Sequence, residues 1–243
     1  LLVVNADDTR LSKLRTNKSY RVITFGIKRG VIRPERLKWD ANACASFFIG
    51  RTEFHLNVPG IHNVYNALAA IAVATSLRMP KSTVARALEK FHAANMRMEI
   101  RNGIGIKIVS DCYNANPSST RMALQTIGAL EKPGRKIAVL GDMLELGDKA
   151  AVLHREIGEL VQQMHFDVLV AVGKLSKNTQ LGAIACGMDR GSALHFENAE
   201  KAMEYLSENV RFGDILLVKG SRGMKMEQIV EKLLRLEPVA VNR

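Results

Sequence analysis

The sequence predicts an α/β chain in two parts, and three observations predict it. Beyond Asn95, short apolar runs alternate with longer amphipathic stretches, the grammar of a doubly wound parallel sheet whose crossovers are helices. Before Asn95 the strands come first and the helices after them. Several apolar runs empty directly into loops of Asn, Asp, Gly and Ser, where sheets of this kind bind ligands. The expected division is 1–95 and 96–243.

In order, the opening LLVVNADD is an apolar run ending in Asn5, Asp7 and Asp8, as a buried strand does where it emerges at a turn. Two β-rich runs follow over 21–27 and 43–56, the second broken near Gly50 and therefore expected to be a hairpin. Val58, Pro59 and Gly60 end the pattern. Residues 62–77, rich in Ala and Leu, have strong helix propensity, and Pro80 opens a second helix through Phe91, proline being tolerated in a first turn. The second part supplies strands over 104–110, 136–140, 167–172, 193–196 and 214–219. Helices are expected over 118–130, 149–164, 176–185, 199–209 and 224–236.

Composition narrows the function. The 243 residues allow one large or two ordinary domains. No stretch approaches the ~18 consecutive apolar residues of a membrane span, and the N-terminus lacks the layout of a signal peptide, so the expected setting is the cytoplasm. Cys44, Cys112 and Cys186 stand far apart without a CxxC pair, which disfavours disulfides and a zinc site. The net charge of +11 is concentrated early: residues 1–40 carry ten Lys/Arg against four Asp/Glu, residues 96–243 twenty against eighteen. The early cations are scattered singly without interleaved aromatics, so a solvated basic face or attraction of an anionic substrate fits better than nucleic acid.

Five loop stretches, the last two taken as a pair, hold residue types suited to binding. In GIHNVYNALAA, Asn63 and Asn66 lie three apart on one face of a helical turn, placed to cap it or to read a purine edge. In NMRMEI, Arg97 and Glu99 share a side if extended, so Arg97 suits either a phosphate or an ion pair. In SDCYNANPSST, Asn116 before Pro117 reads as a helix cap, while Asp111 and Asn114 exceed what a cap needs. VLGDMLELG and LVKGSRGMK both follow strands, and Gly220 to Gly223 has the small residues and cations of an anion-binding turn. Gly103-Ile104-Gly105 lacks the third glycine of a dinucleotide fingerprint and reads as a hairpin turn, and no Walker A sequence is present. His154, His165 and His195 lack metal-pair spacing and read as surface or core histidines.

Taken together, PGIHNVYNALAAIAVA, MRMEI, DCYNANPSS, VLGDMLELG with the following HREIG, and LVKGSRGMKME resemble the Mur ligases of peptidoglycan synthesis, and within them the MurF type. YNANP, GDMLELG and KGSRGM are specific to that type; HNxxN is shared more widely, folylpolyglutamate synthetases included. The resemblance implies the C-terminal part of a central ATP-binding domain over 1–95 and a complete Rossmann-like C-terminal domain over 96–243. The uridine-nucleotide domain, the P-loop and the magnesium ligands would then lie upstream of Leu1. The implied activity is ATP-dependent joining of D-Ala-D-Ala to UDP-MurNAc-tripeptide through an acyl phosphate, with ATP and Mg2+ as cofactors and this chain inactive alone. A non-catalytic nucleotide- or peptide-binding module derived from such a ligase is the alternative. By match to the family's motifs, Asn63 and Asn66 would hold adenine, Arg97 the phosphates and Asp111 the ribose hydroxyls. Asn114 and Asn116 would line the same cleft, and Lys219, Ser221 and Arg222 would face the peptide or dipeptide substrate. The chain departs from the family at Ile61, where a basic residue is common, at Ser110, often a second aspartate, at Cys112, usually serine, and at Met96, frequently glycine in the superfamily.

Overall fold

A computed structural model describes residues 1–13, 20–92, 95–103, 105–130 and 134–236, which form two compact units, Leu1–His92 and Ala93–Arg243.

The first unit holds two small sheets. Strands β1 (Leu2–Asn5) and β2 (Val22–Phe25) pair in parallel, and helix α1 (Ile61–Ser76) packs on both. The opening strand is less buried than its apolar run suggests, only Val4 being buried. Strands β3 (Glu35–Trp39), β4 (Cys44–Ile49) and β5 (Thr52–Pro59) form an antiparallel sheet. The expected hairpin is β4–β5, turning at Gly50, whose φ of 63° is the left-handed region that glycine enters freely. Alternation buries Phe47, Ile49, Phe54 and Leu56, with the rings of Phe47 and Phe54 stacked 5.6 Å apart. Helix α1 buries Val64, Ala67, Leu68, Ile71 and Ala72, one stripe at helical spacing, and each fully enclosed Leu or Ile contributes roughly 1.5–3 kcal/mol. Helix α2 (Lys81–Glu89) packs on β5, with Pro80 immediately before it and not in its first turn.

At the end of β1 the Asp7 carboxylate accepts backbone N–H groups of Ile27, Lys28 and Arg29 at 2.6–3.0 Å and the Tyr65 hydroxyl at 2.9 Å. Burial pushes its pKa up, but the hydrogen bonds from Lys28, Tyr65, Ile27 and Arg29 outweigh that and the net shift is downward. Burial and the same carboxylate push the Tyr65 phenol up to about 12.

The second unit is one six-stranded sheet in the order β10-β9-β8-β11-β7-β6. Its strands are β6 (Glu99–Asn102), β7 (Lys107–Asp111), β8 (Lys136–Gly141), β9 (Val168–Val172), β10 (Ala193–Phe196) and β11 (Ile215–Lys219). All neighbours are parallel except β6 and β7, which form an antiparallel hairpin closed by a Gly103 N–H to Ile106 O bond. Of the run expected as a strand over 104–110, residues 107–110 belong to the second arm of that hairpin; Ile104 lies outside the described residues.

Helices α3 (Pro117–Gly128), α4 (Ala150–Gln163) and α5 (Lys177–Ala185) follow β7, β8 and β9 and neighbour one another on one face. Helices α6 (Ala199–Asn209) and α7 (Glu227–Leu234) cover the other, over Ile108, Val139, Val170, Leu216 and Val218. Helices α4 and α5 meet backbone to backbone: a Cβ on Gly158 would stand 1.9 Å from the Thr179 carbonyl oxygen, and one on Gly182 2.1 Å from that of Arg155. After stepping outward through β8, β9 and β10, the chain returns to insert β11 between β8 and β7. Connections leave β7 and β8 toward one face and β11 toward the other, which makes the carboxyl ends beside β11 the topological switch point, where sheets of this kind bind ligands.

Candidate functional site

In the first unit the two asparagines do not cap α1. Gly60, at φ 99°, is the residue before the helix, a conformation that only glycine takes without strain. Asn63 instead donates from Nδ2 to the Pro59 carbonyl at 2.8 Å and accepts the Asn66 amide on Oδ1 at 3.2 Å. Asn63 thus orients Asn66, which stands exposed one turn along.

In the second unit the sheet's order reversal gathers the remaining candidates. Asp111 and Lys219 are the last residues of β7 and β11 and are register partners. Lys219 Nζ donates to Asp111 Oδ2 at 2.6 Å and to the Asn114 carbonyl at 2.9 Å, with only 2% of its side chain exposed. A lysine so enclosed is tolerable only with such partners, since burying an ion unpaired costs several kcal/mol. The resemblance places Lys219 against a substrate; the structure turns its ammonium inward onto the site's own carboxylate.

The other carboxylate oxygen, Asp111 Oδ1, accepts the Met98 N–H at 3.1 Å. Met98 closes a turn in which Met96 and Met98 have φ values of 61° and 51°, a region costing a non-glycine residue roughly 1–2 kcal/mol. Two further bonds hold it, Met96 N–H to Glu99 Oε2 at 3.0 Å and Tyr113 N–H to the Met96 carbonyl at 3.1 Å. Between the two methionines Arg97 is exposed, its guanidinium 4.2 Å from the centre of the Tyr113 ring. Glu99 pairs with Arg101.

Asn116 is the cap of α3: its Oδ1 accepts the Ser119 N–H at 2.8 Å, and Ser119 Oγ accepts the Asn116 N–H at 3.2 Å. Pro117 begins the helix, as the sequence predicts. Exposed Asn114 has its Oδ1 engaged by the Ala115 N–H at 2.8 Å. Cys112 is buried with its thiol donating to the Val218 carbonyl, and burial raises its pKa to about 12, so it is no nucleophile.

The loops after β8 and β11 are sewn together. The Ser221 N–H donates to the Asp142 carbonyl, and its hydroxyl accepts the Leu144 N–H at 2.9 Å and donates to the Ala115 carbonyl at 3.3 Å. Those donors, expected from the sequence to face an anion, are spent joining loops. Arg222 remains exposed, bonded to Glu227 at 2.9 Å and resting on Met96 Sδ at 3.4 Å.

One group escaped sequence reasoning, and one histidine proves to be a core residue, one of the two readings the sequence allowed. Buried Asp142 takes the Ser176 N–H and hydroxyl on Oδ1, both at 2.7 Å, tying the β8 loop to the start of α5. His154, read only as a surface or core histidine, donates from Nδ1 to the Ala150 carbonyl and accepts the Met143 N–H on Nε2, which fixes its tautomer. An Asp placed directly after an apolar strand was the available signal for the first.

One edge of the second unit therefore carries Arg97, Asp111, Asn114, Asn116, Lys219, Ser221 and Arg222, while Asn63 and Asn66 belong to the first unit. Among the described residues no three His, Cys, Asp or Glu side chains cluster as metal ligands, and no helix is long and apolar enough to cross a membrane. The edge can hold anionic oxygens at Arg97 and Arg222 and accept hydroxyl donors at Asp111.

Residues 1–74 match the Mur ligase middle domain, and residues 96–222 match the domain described as Mur ligase, glutamate ligase domain. The UDP-N-acetylmuramoyl-tripeptide--D-alanyl-D-alanine ligase of Bacillus subtilis is 36% identical over 182 residues, covering 74% of this chain and 40% of that protein. The ligase of the same name from Buchnera aphidicola is 30% identical over 97% of this chain and 51% of its own length. Among solved structures, MurF from Acinetobacter baumannii superposes with a TM-score of 0.82 at 27% identity, over 96% of this chain and 51% of that one. The MurF ligase of Thermotoga maritima in complex with ADP shares the fold, with a TM-score of 0.78 at 24% identity over 95% of this chain and 52% of that one. The chain spans about half the length of the curated relatives it matches.

Proposed function

The chain belongs to the Mur ligase family, and from that premise we propose that it is the nucleotide-closing and acceptor-binding half of a MurF-type ligase. In this reading it works in the cytoplasm together with the segment its relatives carry ahead of the matched region. The reaction moves the γ-phosphoryl group of ATP to the terminal carboxylate of UDP-MurNAc-tripeptide. The amine of D-Ala-D-Ala attacks that acyl carbon, phosphate leaves, and an amide remains. Such chemistry is mostly positioning of anions and exclusion of water from the acyl phosphate.

The carrying observation is Arg97, held exposed on the Tyr113 ring beside Asp111 at the point where strand order reverses. Arg97 meets the phosphates. A carboxylate has about four lone-pair positions, and the bonds from Lys219 and Met98 use two, so Asp111 keeps capacity for a ribose hydroxyl. In the first unit, Asn66, oriented by Asn63, offers its amide to a purine edge. Asn114 and Asn116 border the nucleotide, the latter through the α3 terminus that it caps, and Arg222 faces the acceptor's carboxylate. Ser221 holds the loops that carry these groups. The edge suits phosphate and sugar oxygens; magnesium, if the reaction uses it, would be held by residues of the upstream segment and would supply charge neutralisation of the nucleotide.

The test joins this chain to the N-terminal half of the Bacillus subtilis relative and measures amide formation from ATP, UDP-MurNAc-tripeptide and D-Ala-D-Ala. Ligation is expected from the joined protein, none from the 243 residues alone, and Arg97→Ala should lower kcat/KM for ATP about 10–100-fold, the loss of a charge-assisted bond. Ligation by the chain alone sinks the claim that it is a half. ADP binding by the joined protein without ligation would leave a nucleotide-binding module instead.

A further inference from the structure

Lys219 is the most deeply enclosed cation at the sheet edge, and the reaction as described gives it no substrate to touch. Its contacts run inward along a connected path. Nζ fixes Asp111 Oδ2 at 2.6 Å, which leaves Oδ1 turned toward Met98 N–H at 3.1 Å. Met98 and Met96 carry the two positive φ values that bracket Arg97, and a turn strained at two non-glycine positions persists only where its surroundings over-determine it. The bonds from Glu99 and Tyr113 hold its Met96 end, and the Asp111 bond holds its Met98 end.

We propose that Lys219 is a positioning residue for Arg97: by orienting and neutralising Asp111 it holds the Met96–Met98 turn so that the guanidinium waits over Tyr113 for the nucleotide's phosphates. Its role in nucleotide use rests on the reading of Arg97 given above. The charge argument runs the same way. Without Lys219 an uncompensated carboxylate would stand beside the phosphate site, repelling the nucleotide and competing for Arg97. The second contact of Nζ, to the Asn114 carbonyl, ties the loop before α3 into the same arrangement. The ammonium is spent inside the protein, so the acceptor dipeptide takes no bond from it.

The first test needs no catalysis. In the 243-residue chain, Lys219→Leu should speed amide hydrogen exchange at Met98 at least tenfold while amides in β8 and β9 keep their protection. Unchanged exchange at Met98, or a uniform rise across the sheet, overturns the proposal. Should Lys219→Leu fail to fold, Asp111→Asn serves: an NH2 replaces one of the two oxygens that face different donors, and with the remaining oxygen held on Lys219 it is the Met98 N–H that loses its acceptor, so Met98 exchange should again rise locally, and an unchanged rate refutes the path. The second test uses the joined ligase. Lys219→Leu should raise KM for ATP about tenfold or more and leave KM for D-Ala-D-Ala unchanged, and the reverse split returns Lys219 to the acceptor. If the joined protein does not ligate, the functional reading fails while the exchange result still decides the positioning role.

Discussion

Asn116 is the residue at which capping and nucleotide contact can be separated. Asn116→Ala removes one acceptor, Oδ1, and with it the 2.8 Å bond from the Ser119 N–H; the reciprocal bond from the backbone N–H of residue 116 to Ser119 Oγ survives. The loss should be about 1 kcal/mol, the usual cost of deleting an N-cap side chain. In a domain of this size that corresponds to a fall in Tm of about 2–4 °C. Asn116→Asp keeps an acceptor and places a negative charge at a helix N-terminus, worth about 0.3–1 kcal/mol, so it should melt at or slightly above the parent. Calorimetric melting of the chain measures both. In the joined ligase the same aspartate should raise KM for ATP several-fold if residue 116 borders the polyphosphate, because its charge then faces the nucleotide. An unaltered Tm in Asn116→Ala would refute the capping argument, and an unaltered KM in Asn116→Asp would remove Asn116 from the cleft.

Two further outcomes test the scaffold. Gly158→Ala or Gly182→Ala forces a Cβ against a backbone carbonyl oxygen that cannot rotate away, so each should cost about 1–3 kcal/mol or more, read from urea unfolding; a loss below about 0.5 kcal/mol would mean that α4 and α5 separate easily. Asp7 has a folded pKa below its ordinary 3.8, so the stability it contributes is present above that pH and is lost as pH falls below about 4. Asp7→Asn should therefore flatten the acid limb of the stability profile, and acid-titration curves of equal steepness for the two proteins would contradict the assignment.

Much of this fold was legible because central parallel strands are buried on both faces and read as unbroken apolar runs, as β8, β9 and β11 do. Strands β3 and β6 were missed for the complementary reason. ERLKW and EIRN lie at sheet edges, where charged side chains are tolerated and period-2 alternation fades. The cap at Asn116 was readable because Asn-Pro-Ser is local chemistry. The inward role of Lys219 was not, since a lysine after an apolar run ordinarily reaches solvent, and its partner is 108 residues away. The available hint was that a cation and a carboxylate each end an apolar strand of the same sheet, but strand adjacency is set by the return of β11, which no local pattern encodes.

The turn around Arg97 also bears on how such an edge can change over time. Glycine at position 96 would relieve roughly 1–2 kcal/mol of backbone strain at φ 61°, and by folding stability alone it is the better residue. It would also free the backbone on one side of Arg97 and delete the sulfur on which Arg222 rests. Methionine keeps the two arginines in register through a shared neighbour, so selection for a less strained fold and selection for a fixed pair of cations pull on the same position in opposite directions.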